Sequence, residues 1–145
     1  MQSVQILQGT YGGPKKRIAF VVSNPATLKG MPVGFFAEEL TKPFSEFVDA
    51  GHEVEIFSPE GGNVVFDFFS DPENEATIYP NDLSTIGFKH HKTFGSLLEK
   101  TKSIKDADVA SFDAVCVAGG GSPLVTFKGN ADLHRLIADF YEQGK

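Results

Sequence analysis

Two glutamates and a glycine turn are the features of this sequence whose residue types and positions suit chemistry. Glu38 and Glu39 come after an apolar stretch, residues 18–22, and its following loop. Three consecutive glycines, residues 119–121, directly follow a second apolar stretch, residues 112–118. If both stretches are parallel strands, their carboxyl ends meet at the sheet edge where open α/β sheets bind ligands. A carboxyl drawn into such a site and buried there would be suited to proton transfer.

Each of these features also has a purely structural interpretation. Acidic side chains near a helix N-terminus interact favourably with the helix dipole, which accounts for Glu38 and Glu39 without any catalysis. The glycines suit a loop that only needs conformational freedom. Asp67 and Ser70, three residues apart before a proline turn, are residue types that commonly cap turns. The residue types alone leave both interpretations open at these positions.

The one cysteine of the sequence, Cys116, lies inside the second apolar stretch, three residues before the first glycine. A nucleophilic thiol needs exposure and electropositive surroundings, whereas a cysteine within a strand is usually a small, inert apolar side chain. We therefore predict a structural role for Cys116. His90 and His91 are adjacent, which is not the spacing of two metal ligands on one helix face. The sequence has no phosphate-binding glycine signature either, and we expect neither a metal nor an organic cofactor.

The composition is that of a soluble globular domain: 145 residues, 41% hydrophobic and 22% charged. A net charge of −6 argues against a surface that binds nucleic acid or anionic membranes. No apolar stretch approaches the roughly 20 residues that cross a bilayer, and residues 1–13 lack the pattern of a secretory signal. A single cysteine fits a reducing compartment. We therefore expect a cytoplasmic protein with no nucleic-acid or membrane partner.

Strand and helix patterns alternate along the chain. Strands are predicted at residues 18–22, 54–57, 64–69 and 112–118. Helices are predicted at residues 35–50, 82–88, 96–102 and 130–143. Pro43 falls inside the first helical pattern, where it predicts a kink or the true start of the helix. The alternation predicts one α/β domain over residues 1–145 with a largely parallel sheet, preceded by a loose arm at residues 1–14.

Several segments, in this order and at this spacing, resemble the DJ-1/PfpI superfamily of class I glutamine-amidotransferase-like proteins. The resemblance is greatest to the branch of Hsp31-type chaperones and glyoxalases. The matching segments are residues 34–43, 49–54, 57–62, 112–120 and 140–145. Asp67 and Ser70 resemble the family's Asp-Pro-x-Ser segment, with Phe68 in place of the proline, which implies a supporting role for them. The resemblance implies a flavodoxin-like three-layer sandwich.

In that family a glutamate carboxyl hydrogen-bonds a reactive cysteine, and backbone N–H groups of a glycine loop bind the oxyanion. The resemblance implies that Glu39, four residues before Pro43, is the catalytic acid and base. It implies an oxyanion and substrate loop formed by Gly120, Gly121 and Ser122. No metal or cofactor is implied.

This sequence departs from the family pattern at two places. Gly121 stands where many members have a histidine, although one branch with Ser-Pro after the glycines also lacks it. The family's nucleophilic cysteine follows a strand that begins beyond the Gly-Lys pair at residues 144–145. Cys116 lies one strand too early to replace it. The resemblance therefore implies a domain without its C-terminal third and without its nucleophile.

The parent activity implied by the resemblance is a glyoxalase III-like or deglycase-like reaction on small α-oxoaldehydes. We expect this chain alone not to perform it, so that whether the chain is an enzyme stays open. One alternative is a non-catalytic stress or chaperone-like module that binds client proteins through exposed apolar surface. Another is an amidotransferase-like domain acting on glutamine. Expected macromolecular partners are further copies of the chain or a complementing C-terminal segment.

Overall fold

Strands and helices alternate along residues 12–145, the part of the chain that the computed structural model describes. The strands are β1 (Arg17–Val21), β2 (Ala26–Leu28), β3 (Met31–Val33), β4 (Glu53–Ser58), β5 (Lys102–Ser103) and β6 (Ala114–Val117). The helices are α1 (Ala37–Asp49), α2 (Leu83–His90), α3 (Phe94–Leu97), α4 (Pro123–Thr126) and α5 (Ala131–Glu142). The predicted N-terminal arm lies outside the described residues, apart from residues 12–14.

The main sheet has four parallel strands in the order β5-β4-β1-β6. Strand β1 lies in its interior, and its residues from Ile18 to Val21 are buried because both faces of the sheet are covered. In the register of the sheet, Phe20 lies opposite Ile56 of β4 and opposite Cys116 of β6. The carboxyl ends of these three strands therefore meet at one edge, and the largely parallel sheet that the sequence predicts is confirmed.

Helices cover the two faces of the sheet and make it the middle of three layers. One buried cluster joins Phe20 of β1 to Leu40 and Phe44 of α1 and to Phe88 of α2. The rings of Phe44 and Phe88 pack edge to face with centroids 5.0 Å apart. On the opposite face a second cluster joins β1 to the apolar side of α5. The flavodoxin-like three-layer sandwich is thus the architecture of the chain.

The main helices form where the sequence predicts them. Helix α5 begins after Asn130, whose Oδ1 accepts a hydrogen bond from Leu133 N at 3.0 Å. Helix α1 continues through Pro43 and begins six residues before it, so Pro43 does not mark its start. Proline removes one backbone N–H from the helix, but the buried side chains of Leu40 and Phe44 on either side anchor both halves to the core.

Three local predictions were wrong. In place of the helix predicted at residues 96–102, α3 ends at Leu97 and β5 begins at Lys102. Residues 64–69 do not form a strand; Val64 N donates to Leu98 O at 2.9 Å, and a single bridge pairs Phe35 with Phe66. The loop expected after β1 instead holds the hairpin of β2 and β3, whose turn residues Lys29 and Gly30 have φ values of 50° and 83°. Two consecutive positive φ values fit a tight hairpin turn. Strands of three residues are too short for their alternation to be visible in a sequence.

Strand β6 forms one edge of the main sheet. It pairs with β1 on one side, and no strand of residues 12–145 pairs with its other side. Val117 on β6 is 43% exposed, and Ile137 and Tyr141 on the neighbouring α5 are also exposed. An edge of this kind offers unpaired backbone groups and apolar side chains to another strand. Within the described residues, no helix is long and apolar enough to cross a membrane.

Burial of Cys116 in β6 generates a prediction about its reactivity. Burial raises the pKa of its thiol above the ordinary value, so less thiolate is present at any pH below that pKa. We expect iodoacetamide at pH 8 to modify Cys116 at least tenfold more slowly in the native chain than in urea. The native rate should rise with pH and reach half its maximum above about pH 8.5, the ordinary midpoint for cysteine. Equal native and denatured rates would contradict the packing of β6.

Candidate functional site

The candidate site begins where α1 starts, at the carboxyl edge of the sheet. Phe36, the N-cap residue of α1, has no side chain that can accept a hydrogen bond from the helix. Ser70 supplies the missing cap. Its buried Oγ accepts a hydrogen bond from Ala37 N at 2.8 Å and donates one to Asp67 O at 3.1 Å. Asp67 N in turn donates to Phe35 O at 2.7 Å. Residues 67–70 therefore cap α1 from a separate segment of the chain.

The glycine turn after β6 lies directly against the chain that leads into α1. Phe36 N donates to Gly119 O at 2.7 Å, and Gly120 forms an antiparallel bridge with Phe35. Gly120 has a φ of +129°, and a Cβ on it would lie 2.5 Å from Phe36 N. Both the backbone angle and the close approach therefore require glycine here.

Two carboxylates bind to amides of this turn. Gly119 N donates a short hydrogen bond to Glu39 Oε2, and Gly121 N donates to Asp67 Oδ2 at 3.2 Å. Asp67 is 5% exposed, and its Oδ1 accepts from Phe69 N at 3.2 Å. Both oxygens of Asp67 are thus occupied, whereas only one oxygen of Glu39 has a partner within residues 12–145. The turn therefore holds one carboxylate by both of its oxygens and the other by a single oxygen.

Glu39 is exposed, which differs from the burial that the sequence led us to expect. It lies on the first turn of α1, and no described element covers it on the solvent side. The adjacent Glu38 forms an ion pair with Lys42, one helical turn further on, at 2.9 Å. The two neighbouring glutamates therefore have different surroundings: one is tied to a lysine of its own helix, the other to the glycine turn.

Ser122, at the end of the turn, faces the interior. Its Oγ shares a short hydrogen bond with Ser23 Oγ, and both side chains are fully buried. Its amide donates to Gly34 O at 2.9 Å. Ser122 therefore connects the glycine turn to the end of β1, and its hydroxyl already has a partner.

The remaining candidates lie away from this turn or have structural partners. Cys116 is half-buried and packs against the core on the α1 side of the sheet, and it is not a hydrogen-bond partner of Glu39. His90 Nε2 lies 2.6 Å from Glu73 Oε1, and hydrogen bonds from Lys89 and His90 lower the pKa of Glu73 to about 2. Within the described part of the chain, no three His, Cys, Asp or Glu side chains form a group that could hold a metal.

Solved structures share this arrangement of strands and helices. Rapid Encystment Protein 24 kDa of Francisella tularensis matches with a TM-score of 0.77 at 22% identity, over 88% of this chain and 55% of its own. Glyoxalase III from Candida albicans matches with a TM-score of 0.71 at 20% identity, over 89% of this chain and 54% of its own. The chain shares the fold of these two proteins. The resemblance predicted from the sequence motifs is confirmed as a likeness of fold.

The chain matches only part of each of these solved structures. The chain spans about half the length of the solved structures that it matches. A third solved chain, 25% identical with a TM-score of 0.70, is covered over 54% of its length. No protein-family model matches the sequence, and no curated protein matches it significantly. The fold is therefore shared with proteins to which the sequence as a whole is only distantly similar.

The close approach at Gly120 can be tested through stability. We expect Gly120→Ala to lower the free energy of unfolding by about 2 kcal/mol or more, because the new Cβ overlaps the backbone of Phe36 and φ is unfavourable. Gly129→Ala is the matched control: φ is +80° there, but nothing lies within 4 Å of the added Cβ. Urea unfolding followed by circular dichroism measures both. An equal loss in the two variants would mean that the turn does not lie against Phe36.

Proposed function

We propose that this chain belongs to a protein that converts small α-oxoaldehydes in a glyoxalase III-like or deglycase-like reaction, and that Glu39 moves the protons. The observation that carries the proposal is the hydrogen bond from Gly119 N to Glu39 Oε2. It fixes an exposed carboxylate at the carboxyl edge of a parallel sheet, where ligands of such sheets bind. The likeness of fold to a protein described as glyoxalase III supports the choice of reaction.

In this reaction a thiolate adds to the aldehyde carbon, and the resulting alkoxide takes up a proton to form a hemithioacetal. Glu39 removes the proton on that carbon, and the ketone oxygen takes up a proton, which gives an enediol. Glu39 then returns its proton to the neighbouring carbon while the hydroxyl on the first carbon releases its proton, which leaves a 2-hydroxy thioester. Water cleaves the thioester, releasing the 2-hydroxy acid and the thiol. One water is added in total. One carbon is oxidised while its neighbour is reduced, so no external oxidant is needed.

The amides of the glycine turn are the proposed donors to the oxyanion. Gly121 N is bound to Asp67 Oδ2 at 3.2 Å, which is a long hydrogen bond for a carboxylate. An oxyanion at Gly120 and Gly121 would have to share this amide with Asp67 or displace it. Ser122 would contribute through its position in the turn, since its hydroxyl is bonded to Ser23.

The thiol must come from outside the described strands. Cys116 is the one cysteine of the sequence and is held in β6 with a raised pKa. We propose that the nucleophile is carried by a further strand that pairs with the open edge of β6, from a complementing segment or from another chain. The unpaired edge and the exposed Val117 support this placement.

A second candidate function is a chaperone-like module. The exposed apolar side chains of Val117 on β6 and of Ile137 and Tyr141 on α5 favour it, since such surface can bind unfolded clients. This function needs the apolar side chains but no carboxylate. Suppression of client aggregation that survives Glu39→Gln and is lost on Val117→Lys would favour it over the enzymatic proposal.

Added thiol tests the role of Glu39. Without thiol we expect no conversion of methylglyoxal to lactate by the chain. With 2-mercaptoethanol, which forms the hemithioacetal in solution, we expect the chain to speed lactate formation at least tenfold over the mixture without protein. Glu39→Gln should abolish this gain, and Glu38→Gln, which alters the neighbouring ion pair instead, should keep it. Lactate is measured enzymatically. No gain, or a gain that survives Glu39→Gln, would refute the proposal.

The open edge of β6 predicts association in solution. We expect sedimentation velocity to show an average mass that rises with concentration, because unpaired strands and apolar side chains attract each other. Val117→Lys should reduce this association, since a lysine on an edge strand opposes pairing. Leu83→Lys is the control, as Leu83 is 76% exposed on α2, away from β6. A stable monomer at all concentrations, or an equal effect of both variants, would contradict a role for this edge.

A further inference from the structure

A cavity of about 230 Å³ lies beside the glycine turn. The hairpin of β2 and β3 forms one side, and the turn that follows Phe66 forms the other. Its apolar wall consists of Leu28, Met31, Val33, Phe36, Phe68 and Phe69. Met31 and Phe69 are about half exposed and form its rim, whereas Val33 is buried at its inner end.

The chemistry of this wall defines what the cavity can bind. Asp67 is the one charged residue in it, and both carboxylate oxygens already accept backbone hydrogen bonds, from Phe69 N and Gly121 N. Among residues 12–145 no lysine or arginine lines the cavity, so no described cation there can pair with an anionic group. A cavity of about 150 Å³ with a comparable apolar wall admits benzene. The space here therefore suits an uncharged group of aryl or branched-alkyl size.

The cavity is joined to the candidate site through the glycine turn itself. Gly120 and Gly121 line the cavity, and the preceding Gly119 holds Glu39. A Cβ on Gly121 would lie 2.9 Å from Val33 Cβ, so a side chain here would press into the wall of the cavity. The cavity and the amide that holds Glu39 are therefore neighbours along one three-residue turn.

We propose that this cavity binds the apolar substituent of the substrate, so that α-oxoaldehydes with an aryl or branched-alkyl group are preferred to methylglyoxal. The assignment of the bound group to an α-oxoaldehyde rests on the proposed function. The selectivity of the cavity for large apolar groups is inferred from the residues that line it, and it does not depend on whether the chain catalyses a reaction. The preference arises because a larger apolar group removes more surface from water.

Binding is tested with two neutral, unreactive analogues, 2-hydroxyacetophenone and hydroxyacetone, which differ in carrying phenyl or methyl beside the carbonyl. The sequence has no tryptophan, so Phe69→Trp places a single fluorescent reporter at the rim. We expect 2-hydroxyacetophenone to change its emission saturably, with a dissociation constant at least tenfold below that of hydroxyacetone. Tyr141→Trp, which is exposed on α5, is the control and should show no saturable change. Equal affinities, or equal responses of the two reporters, would overturn the proposal.

A second measurement uses the unaltered wall and covers the case in which Phe69→Trp does not fold. With ¹³C-methyl methionine, the signal of Met31 should shift on addition of 2-hydroxyacetophenone. Met31→Asp should weaken binding at least fivefold, as measured by isothermal titration calorimetry. Leu83→Asp introduces the same charge at another exposed apolar position and should leave binding unchanged. An unshifted Met31 signal would overturn the proposal. Selective binding without Glu39-dependent lactate formation would refute the proposed function and support the binding role of the cavity. Glu39-dependent lactate formation without selective binding would support the proposed function and refute the binding role of the cavity.

Discussion

The close contact between the glycine turn and the chain entering α1 is the constraint on which the rest of this site depends. Backbone meets backbone there, through Phe36 N and Gly119 O at 2.7 Å and through the bridge between Phe35 and Gly120. Only residues without a Cβ allow the two segments to lie so close. The contact fixes the start of α1 against the end of β6. It thereby brings Glu39, near the start of α1, to the amide of Gly119.

The same turn gives two carboxylates different chemical possibilities. Asp67 is buried, and each of its oxygens accepts one backbone hydrogen bond, so it is fixed in place against the turn. Glu39 accepts one hydrogen bond and is exposed, which leaves its other oxygen without a partner among residues 12–145. One carboxylate thus shapes the turn and the other remains available for chemistry. The division follows from where each lies along the chain: Asp67 in a covered turn, Glu39 on the first turn of a surface helix.

The sequence carried enough information for the layers of the fold but not for the contacts of the site. Strand β1 and helix α5 are long and patterned, so their burial is visible in the order of apolar residues. The hairpin of β2 and β3 is not, because three-residue strands show no period. The capping of Ala37 by Ser70 joins segments 33 residues apart, and no local sequence pattern predicts such a pairing. The exposure of Glu39 likewise depends on how the other helices and strands pack around it, and the local sequence does not determine that packing.

Sheet pairing and site assembly are coupled through β6. This strand has an unpaired edge, and it continues without a break into Ala118 and Gly119, whose amide holds Glu39. A strand that pairs in parallel with β6 would have its carboxyl end at the same edge of the sheet, because parallel strands run in the same direction. Any side chain just beyond its carboxyl end would therefore lie beside the glycine turn. A strand paired with β6 and the candidate site around Glu39 would therefore meet at one edge of the sheet.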